Sequence, residues 1–369
     1  MLDRRLIQNF DWVLFFIIIA LAGLSIMNMY SATYFVKGIG GAKIFKRHIC
    51  WYAFGFIMFF IMLIFDYHIL KQWAYHIYFV SVLLLLLVLI IGKITSGSQR
   101  WFRIGPISFQ PSELAKLGVA IIISYFFSER PNNTRYTFKD LWPIFLLIII
   151  PSALILKEPD LGTAIIIFIF AGTIILFSGI SRKFLIILVL TGLIIAPITW
   201  GHLKDYQKKR ILTFINPNMD PLGAGYHITQ SKIAIGSGML FGKGYLNGSQ
   251  TRLHFLPEQH TDFIFSVFAE EWGFFGSLIL ITLYILLVLK GLDIAKNSKD
   301  KFGCYLALSI TVMTFWQVFV NIGMVTGILP VVGTPLLFMS YGGSSLIFTM
   351  MSMGILMNIR MRRYMFNGL

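Results

Sequence analysis

Residues 256–276 read LPEQHTDFIFSVFAEEWGFFG. Pro257, Glu258, His260 and Asp262 come first, and the stretch then turns into Phe, Ile, Val and Ala. How carboxylates at such a border are read depends on the medium around them, and composition decides the medium. Hydrophobic residues make up 57% of the chain and charged residues 13%, against roughly 25% charged in a soluble domain. A bilayer core about 30 Å thick takes about 20 apolar residues of helix, and runs of that length recur along the chain. The opening stretch therefore reads as the mouth of a membrane helix.

Working outward from it, the fold class is an all-α polytopic membrane protein. Ten spans are expected, at about 12–30, 49–66, 73–92, 111–127, 141–156, 160–178, 183–201, 263–290, 302–326 and 340–359. The whole chain, 1–369, reads as one integral-membrane domain without internal repeats. The charged N-terminus MLDRRLIQNFDW is followed by a run with no small-residue cleavage site, so it reads as a retained span and not a signal peptide. Cys50 and Cys304 fall in separate spans and lack metal-ligand spacing. The longest connection, 202–262, faces outward by parity. Its Gly, Asn and Pro residues call for turns, yet it is too aromatic and aliphatic for disorder. Within it, GYHITQSKIAIGSG (225–238) predicts a short helix across the membrane surface.

The net charge of +15 would suggest nucleic acid on a soluble protein. Here the positive-inside rule is the first explanation. With ten spans both termini share a side, which carries Arg4, Arg5, Lys71, Arg130, Arg135, Lys139, Arg182, Lys183, Lys290, Lys296, Lys299, Lys301, Arg360, Arg362 and Arg363. The short loops opposite hold Lys37, Lys43, Lys46, Arg47, Lys93, Arg100, Arg103 and Lys157. The bias places both termini in the cytoplasm, but the outer side is also basic, and that excess needs a reason.

Four outer segments carry polar groups in the apolar frame, where a central Asp or Lys costs about 2.5–3.5 kcal/mol. KRHICW (46–51) places Lys46 and Arg47 at the outer start of span two, where snorkelling basic residues and an interfacial Trp are the plainer reading. SGSQRWFRIGPISFQPSELAKLGVA (96–120) puts Arg100 and Arg103 in a loop, with Glu113 and Lys116 three apart on one helical face. That pair is either an internal ion pair or a cation aimed at an anionic ligand balanced by Glu113. LKEPDLGTA (156–164) reads as a tight turn with Asp160 as a helix cap. Asp262 sits in the first turn of span eight, favoured there by the helix dipole, and nothing local separates this from a general base. Together, a cluster of cations with a few acids suits an anionic, lipid-linked substrate. A pyrophosphate needs Lys or Arg contacts, and a hydroxyl acceptor needs a base.

Residues 321–345, NIGMVTGILPVVGTPLLFMSYGGSS, resemble the signature of the SEDS family (shape, elongation, division and sporulation). QRWFRIGPISFQPSELAKL, KEPDLGTA and LPEQHTDFIFSVFAEEWG are similar to its other blocks in the same order, so the resemblance spans essentially the whole chain. Its wording is closer to the rod-shape (RodA) branch than to the division (FtsW) branch, although Thr334 stands where the pattern has an aliphatic residue. The resemblance implies a ten-span peptidoglycan glycosyltransferase of the bacterial cytoplasmic (inner) membrane. Such enzymes polymerise lipid II on the outer face during cell elongation, beside a class B penicillin-binding protein and other elongation-complex membrane proteins. It implies Asp262 as the catalytic aspartate and Lys116, Glu113 and Asp160 as polar positions of the central cavity. Arg47, Arg100, Arg103 and Arg210 are assigned to pyrophosphate contact by chemistry. His260 reads as structural, and SYGGSS as a structural floor of the cavity. No metal cage or nucleotide loop is present in the sequence, and a divalent cation, Mg or Mn, stays open. A lipid II flippase and a non-catalytic scaffold for the penicillin-binding protein are the alternatives.

Overall fold

The computed structural model describes residues 8–36, 39–95, 98–104, 107–131, 136–179, 181, 186, 201, 205–216, 219–220, 223–253, 255 and 259–363. It is a helical membrane bundle. The long helices are α1 (Trp12–Tyr34), α2 (Ile39–Ile64), α4 (Ala74–Ile91), α5 (Pro111–Ser128), α6 (Phe138–Lys157), α7 (Leu161–Phe177), α11 (Ile264–Lys296), α12 (Lys301–Thr326) and α13 (Gly343–Met361). Shorter helices are α3 (His68–Gln72), α8 (Asp205–Ile215), α9 (Ala224–Ser237) and α10 (Ser249–Arg252). Among the described residues seven helices are long and apolar enough to cross a bilayer, and α7 is a shorter apolar helix. The expected span at 183–201 lies outside the described residues apart from isolated positions, so the structure does not count ten spans.

Several elements start elsewhere than hydropathy suggests. A capping box begins α6 early: Thr137 and Asp140 exchange bonds, with Asp140 accepting from the Thr137 backbone at 3.0 Å, which satisfies free N–H groups of the first turn. Helix α2 starts ten residues before the expected span, so Lys46 and Arg47 lie on the helix and not at its mouth. The chain is also not wholly helical. Three short strands, β1 (Lys93–Thr95), β2 (Ser98–Ile104) and β3 (Ile107–Phe109), form an antiparallel sheet, with Lys93 opposite Trp101 and Phe102 opposite Phe109.

Helix α5 is buried almost all round, the pattern of a helix with other helices on every side. Around it and α12 the outer helices turn Phe, Ile and Leu outward. One end of the bundle is laced by ion pairs. Asp11 meets Lys290 at 3.4 Å and Arg360 at 3.7 Å, and Arg362 meets Asp66 at 3.4 Å. The Arg360–Asp11 contact brings the N- and C-terminal ends of the described chain to one face. Glu113, Lys116, Arg100, Asp160 and Asp262 lie away from it.

Candidate active site

The segment 328–341, between α12 and α13, is non-helical backbone with a turn at 337–339, where a helix would hide its peptide groups. Its carbonyls are read by side chains from several helices. Gln317 and Asn321 lie one turn apart on α12 and so share a face. Gln317 Nε2 donates to Pro335 O at 3.4 Å, and Asn321 Nδ2 donates to Thr334 O at 2.6 Å. Arg210 on α8 donates to Val332 O at 3.2 Å. Helix α7 arrives end-on at Gly162, where an added Cβ would stand 2.7 Å from Thr334 Cγ2 and 2.8 Å from Val332 O. Glycine is required there because the approach leaves no room for a side chain.

Asp262 is fixed against this segment through its backbone. Three successive carbonyls are taken: His260 O by the Tyr341 N–H at 2.8 Å, Thr261 O by Ser340 Oγ at 2.6 Å, and Asp262 O by Asn321 Nδ2 at 3.0 Å. The half-exposed Asp262 carboxylate lies beside Gly333, where an added Cβ would sit 3.4 Å from Oδ2. The helix begins only at Ile264 after Phe263, with no acidic residue in its first turn. Asp262 thus precedes the helix and does not sit in its first turn, contrary to the expectation from sequence. The level of the site follows from α1. Asn28 donates to Ile264 O at 3.2 Å and stands 17 residues beyond Asp11, roughly 25 Å along the axis.

Asp160 is the N-cap of α7, accepting from Thr163 N at 3.2 Å and Thr163 Oγ1 at 2.9 Å. It also accepts from Gln110 Nε2 at 3.2 Å and lies 3.8 Å from Arg100 Nη1. Arg100 grips the same turn through Glu158 O at 3.0 Å and through Pro159 O. Ser344 of the SYGGSS block accepts from Gln110 N and donates to Ser108 O, both at 3.1 Å, joining β3 to the start of α13. Glu158 itself is buried, and neither carboxylate oxygen has a hydrogen-bond partner among the described residues. Burial first, then the charge of Asp160, push its carboxyl up to about 9 against the pull of Arg100.

Lys116 and Glu113 are buried and paired at 3.0 Å, and Lys116 also donates to Gln317 Oε1 at 2.8 Å. They line a small cavity with Thr349 and Ser352. Through Gln317 and Asn321, this pair connects to Asp262 by way of Pro335 and Thr334. The structure therefore links Asp262, Asp160, Arg100, Arg210, Glu113 and Lys116 to one non-helical segment, directly or through a neighbouring residue. Arg47 is exposed on α2, and no contact among the described residues joins it to the site. Arg103 lies on β2 opposite Ser108, and its side chain lies outside the described residues. Pro257 and Glu258 also lie outside them. Sequence reasoning passed over Gln110, Gln317 and Asn321, whose polar atoms bond amide and carboxylate groups that no motif displays.

Among the described residues no three His, Cys, Asp or Glu side chains come close enough to hold a metal ion. Asp160 is already occupied by Arg100, Gln110 and Thr163.

A family model described as cell cycle protein (FtsW/RodA/SpoVE) matches residues 11–365. The chain belongs to the FtsW/RodA/SpoVE family. Within this family it is 42% identical over 358 residues to the peptidoglycan glycosyltransferase MrdB of Escherichia coli (strain K12), covering 97% of this chain and 95% of that one. It is 36% identical over 360 residues to the probable peptidoglycan glycosyltransferase FtsW of Trichlorobacter lovleyi, covering 96% and 93%. Its fold is similar to a chain of a peptidoglycan synthase complex that coordinates polymerization and crosslinking, with TM-score 0.82 and 30% identity over 96% of this chain and 98% of that chain. It is likewise similar to Thermus thermophilus rod shape determining protein RodA, with TM-score 0.72 and 30% identity over the same shares. The FtsW/RodA/SpoVE membership accounts for the order of the four sequence blocks, each of which supplies a residue to the one site.

Proposed function

We propose that this chain is a peptidoglycan glycosyltransferase that polymerises lipid II on the outer face of the bacterial cytoplasmic membrane, with both termini cytoplasmic. The observation that carries the reading is the placement of Asp262: a partly exposed residue whose backbone is held at three successive carbonyls beside the segment 328–341, the segment that Arg210 contacts at Val332 O and that Gln317, bonded to Lys116, contacts at Pro335 O. A general base must be held in place yet reachable by its proton donor. Asp262 takes the proton from the acceptor sugar hydroxyl as that oxygen attacks the anomeric carbon of the donor. The bond from that carbon to the lipid pyrophosphate breaks, and the pyrophosphate leaves with the electron pair. The single attack inverts the donor's α linkage to a β linkage. The basic groups offset the charge that grows on the leaving oxygens, which is the reason for an outer side rich in Arg and Lys. Arg47 and Arg103 rest on chemistry alone for this role.

A single-span class B penicillin-binding protein is the proposed partner. Supporting it is an apolar groove of about 400 Å³ between α11 and α12, lined by Ile281, Tyr284, Ile285, Phe315, Phe319 and Ile322, on the lipid-facing side. The deciding experiment is polymerisation of purified lipid II by the purified protein, alone and with this partner. Glycan strands that vanish with Asp262→Asn support the reading. Transfer of lipid II across vesicles without strand formation would make the chain a transporter, and neither activity would leave a scaffold.

A further inference from the structure

Helix α11 has 33 residues, roughly 50 Å at 1.5 Å per residue, too long for a hydrocarbon core of about 30 Å. It is broken at Gly273, whose φ of 66° and ψ of −160° are not helical. In an unbroken helix, Phe274 N–H would bond Glu270 O and Phe275 N–H would bond Glu271 O. Instead the outer-loop stretch 239–244 supplies all four missing partners. Lys243 N donates to Glu270 O at 3.0 Å and Gly244 N to Glu271 O at 3.1 Å, while Phe274 N donates to Met239 O at 2.8 Å and Phe275 N to Leu240 O at 3.1 Å. The approach is so close that a Cβ on Gly242 would lie 2.1 Å from Glu271 O. The Glu270 carboxylate closes the clip, accepting from Lys243 Nζ at 2.6 Å, Ser249 N at 2.9 Å and Gln250 N at 3.2 Å.

Two helices independently give the depth of this clip. Phe274 is 16 residues from Lys290, and Met27, whose carbonyl accepts from Tyr245 OH at 3.0 Å, is 16 residues from Asp11. Lys290 and Asp11 pair with each other at the far face. Each count is roughly 24 Å, inside a hydrocarbon core of about 30 Å. At this depth Met239 is 80% exposed, Leu240 55% and Phe241 79%. Phe241 rests on Phe275 with ring centroids 5.3 Å apart, beside the exposed Phe274 and Ile279. Irregular backbone is tolerated in hydrocarbon only when its polar groups are satisfied by protein, and the break in α11 does that.

We infer that residues 238–245 form a re-entrant loop within the outer leaflet, with Met239, Leu240 and Phe241 packed against lipid acyl chains. The loop continues the lipid-facing surface of α11. It holds the half-helix Ile264–Trp272, and with it Asp262, at fixed depth. To test this, Phe241→Cys, Leu240→Cys and, as a water-exposed control, Lys209→Cys are made in a background with Cys50→Ser and Cys304→Ser. Each is labelled with an environment-sensitive fluorophore, and the protein is placed in phosphatidylcholine nanodiscs with brominated or plain acyl chains. The expected result is loss of most of the emission at positions 240 and 241 in brominated lipid, with little quenching by aqueous iodide, and the reverse at 209. Iodide quenching at 240 and 241 without effect of brominated lipid would overturn the inference. So would iodide quenching that disappears only when the proposed penicillin-binding protein is added, because the tip would then be a protein contact.

Discussion

Asn321 Nδ2 bridges two backbone carbonyls, Asp262 O at 3.0 Å and Thr334 O at 2.6 Å. One buried amide thereby sets the distance between the start of α11 and the non-helical segment beside it. Asn321→Asp keeps the shape and removes the donor. The expected outcome is a fall in kcat of at least about tenfold, because misplacing a catalytic group by about 1 Å costs up to about 100-fold, with KM for lipid II little changed. Steady-state polymerisation checks it, and an unchanged kcat would show that Asp262 does not depend on this clamp.

Asp262→Asn removes the proposed base and keeps its size. Polymerisation should fall at least about a hundredfold, with membrane insertion and partner binding retained. A merely structural role would lose little, since Asn keeps the size and hydrogen-bonding oxygen of Asp. Strand synthesis at near the wild-type rate would move the search for a base to Glu113 or Asp160.

The Lys116–Glu113 pair is buried, so removing one partner leaves an uncompensated charge. Lys116→Met should destabilise the protein by about 3–5 kcal/mol, whereas Lys116→Met with Glu113→Leu should recover most of that. Thermal unfolding in detergent measures both. If the pair also serves substrate, the double variant regains stability and not polymerisation. Recovery of both would leave it a structural pair.

Glu158 lies in the turn between α6 and α7, and its carboxyl is pushed up to about 9 by burial and by Asp160. An acid with a raised folded-state pKa binds its proton more tightly folded than unfolded. Its neutral form costs nothing below the ordinary carboxylate range, and stability is lost progressively as pH rises from there to about 9. Glu158→Gln has no such loss. Its melting temperature should exceed that of the natural chain by a margin that grows between pH 5 and pH 8. A margin independent of pH would show that Glu158 does not titrate this way.

Orientation is checked with single cysteines at Lys209 and Lys299, in the same background without Cys50 and Cys304. An impermeant reagent applied to intact cells should label position 209 and not 299. The opposite pattern would invert the topology.

Most of the membrane helices and the ionisable residues at their ends were legible because both are costly exceptions in their surroundings: long apolar runs in one case, and Glu113, Lys116, Asp160 and Asp262 within or beside apolar runs in the other. The clamp was not. Asn321 and Gln317 bond backbone carbonyls, and a carbonyl leaves no letter in a sequence; Ser340 of the SYGGSS block was readable as a partner for backbone groups, but not for which ones. The sheet at 93–109 was read as a loop because its strands are short and flanked by Gly and Ser. The break at Gly273 escaped notice because glycine is common in membrane helices, and its effect depends on a loop thirty residues upstream.

The clamp on Asp262 also sets an order of assembly. Asp262 is synthesised before Asn321, Ser340 and Tyr341, and the last of these is 79 residues further on (341 − 262). At about 5–20 residues per second, the ribosome delivers it roughly 4–16 s after the aspartate. Until Asn321 is made the chain holds every acid of the proposed site but none of the three groups that fix its base, and until Tyr341 it lacks the full set. A nascent chain stalled anywhere before Tyr341 would therefore sit in the membrane with its helices largely made and its catalytic geometry unfinished.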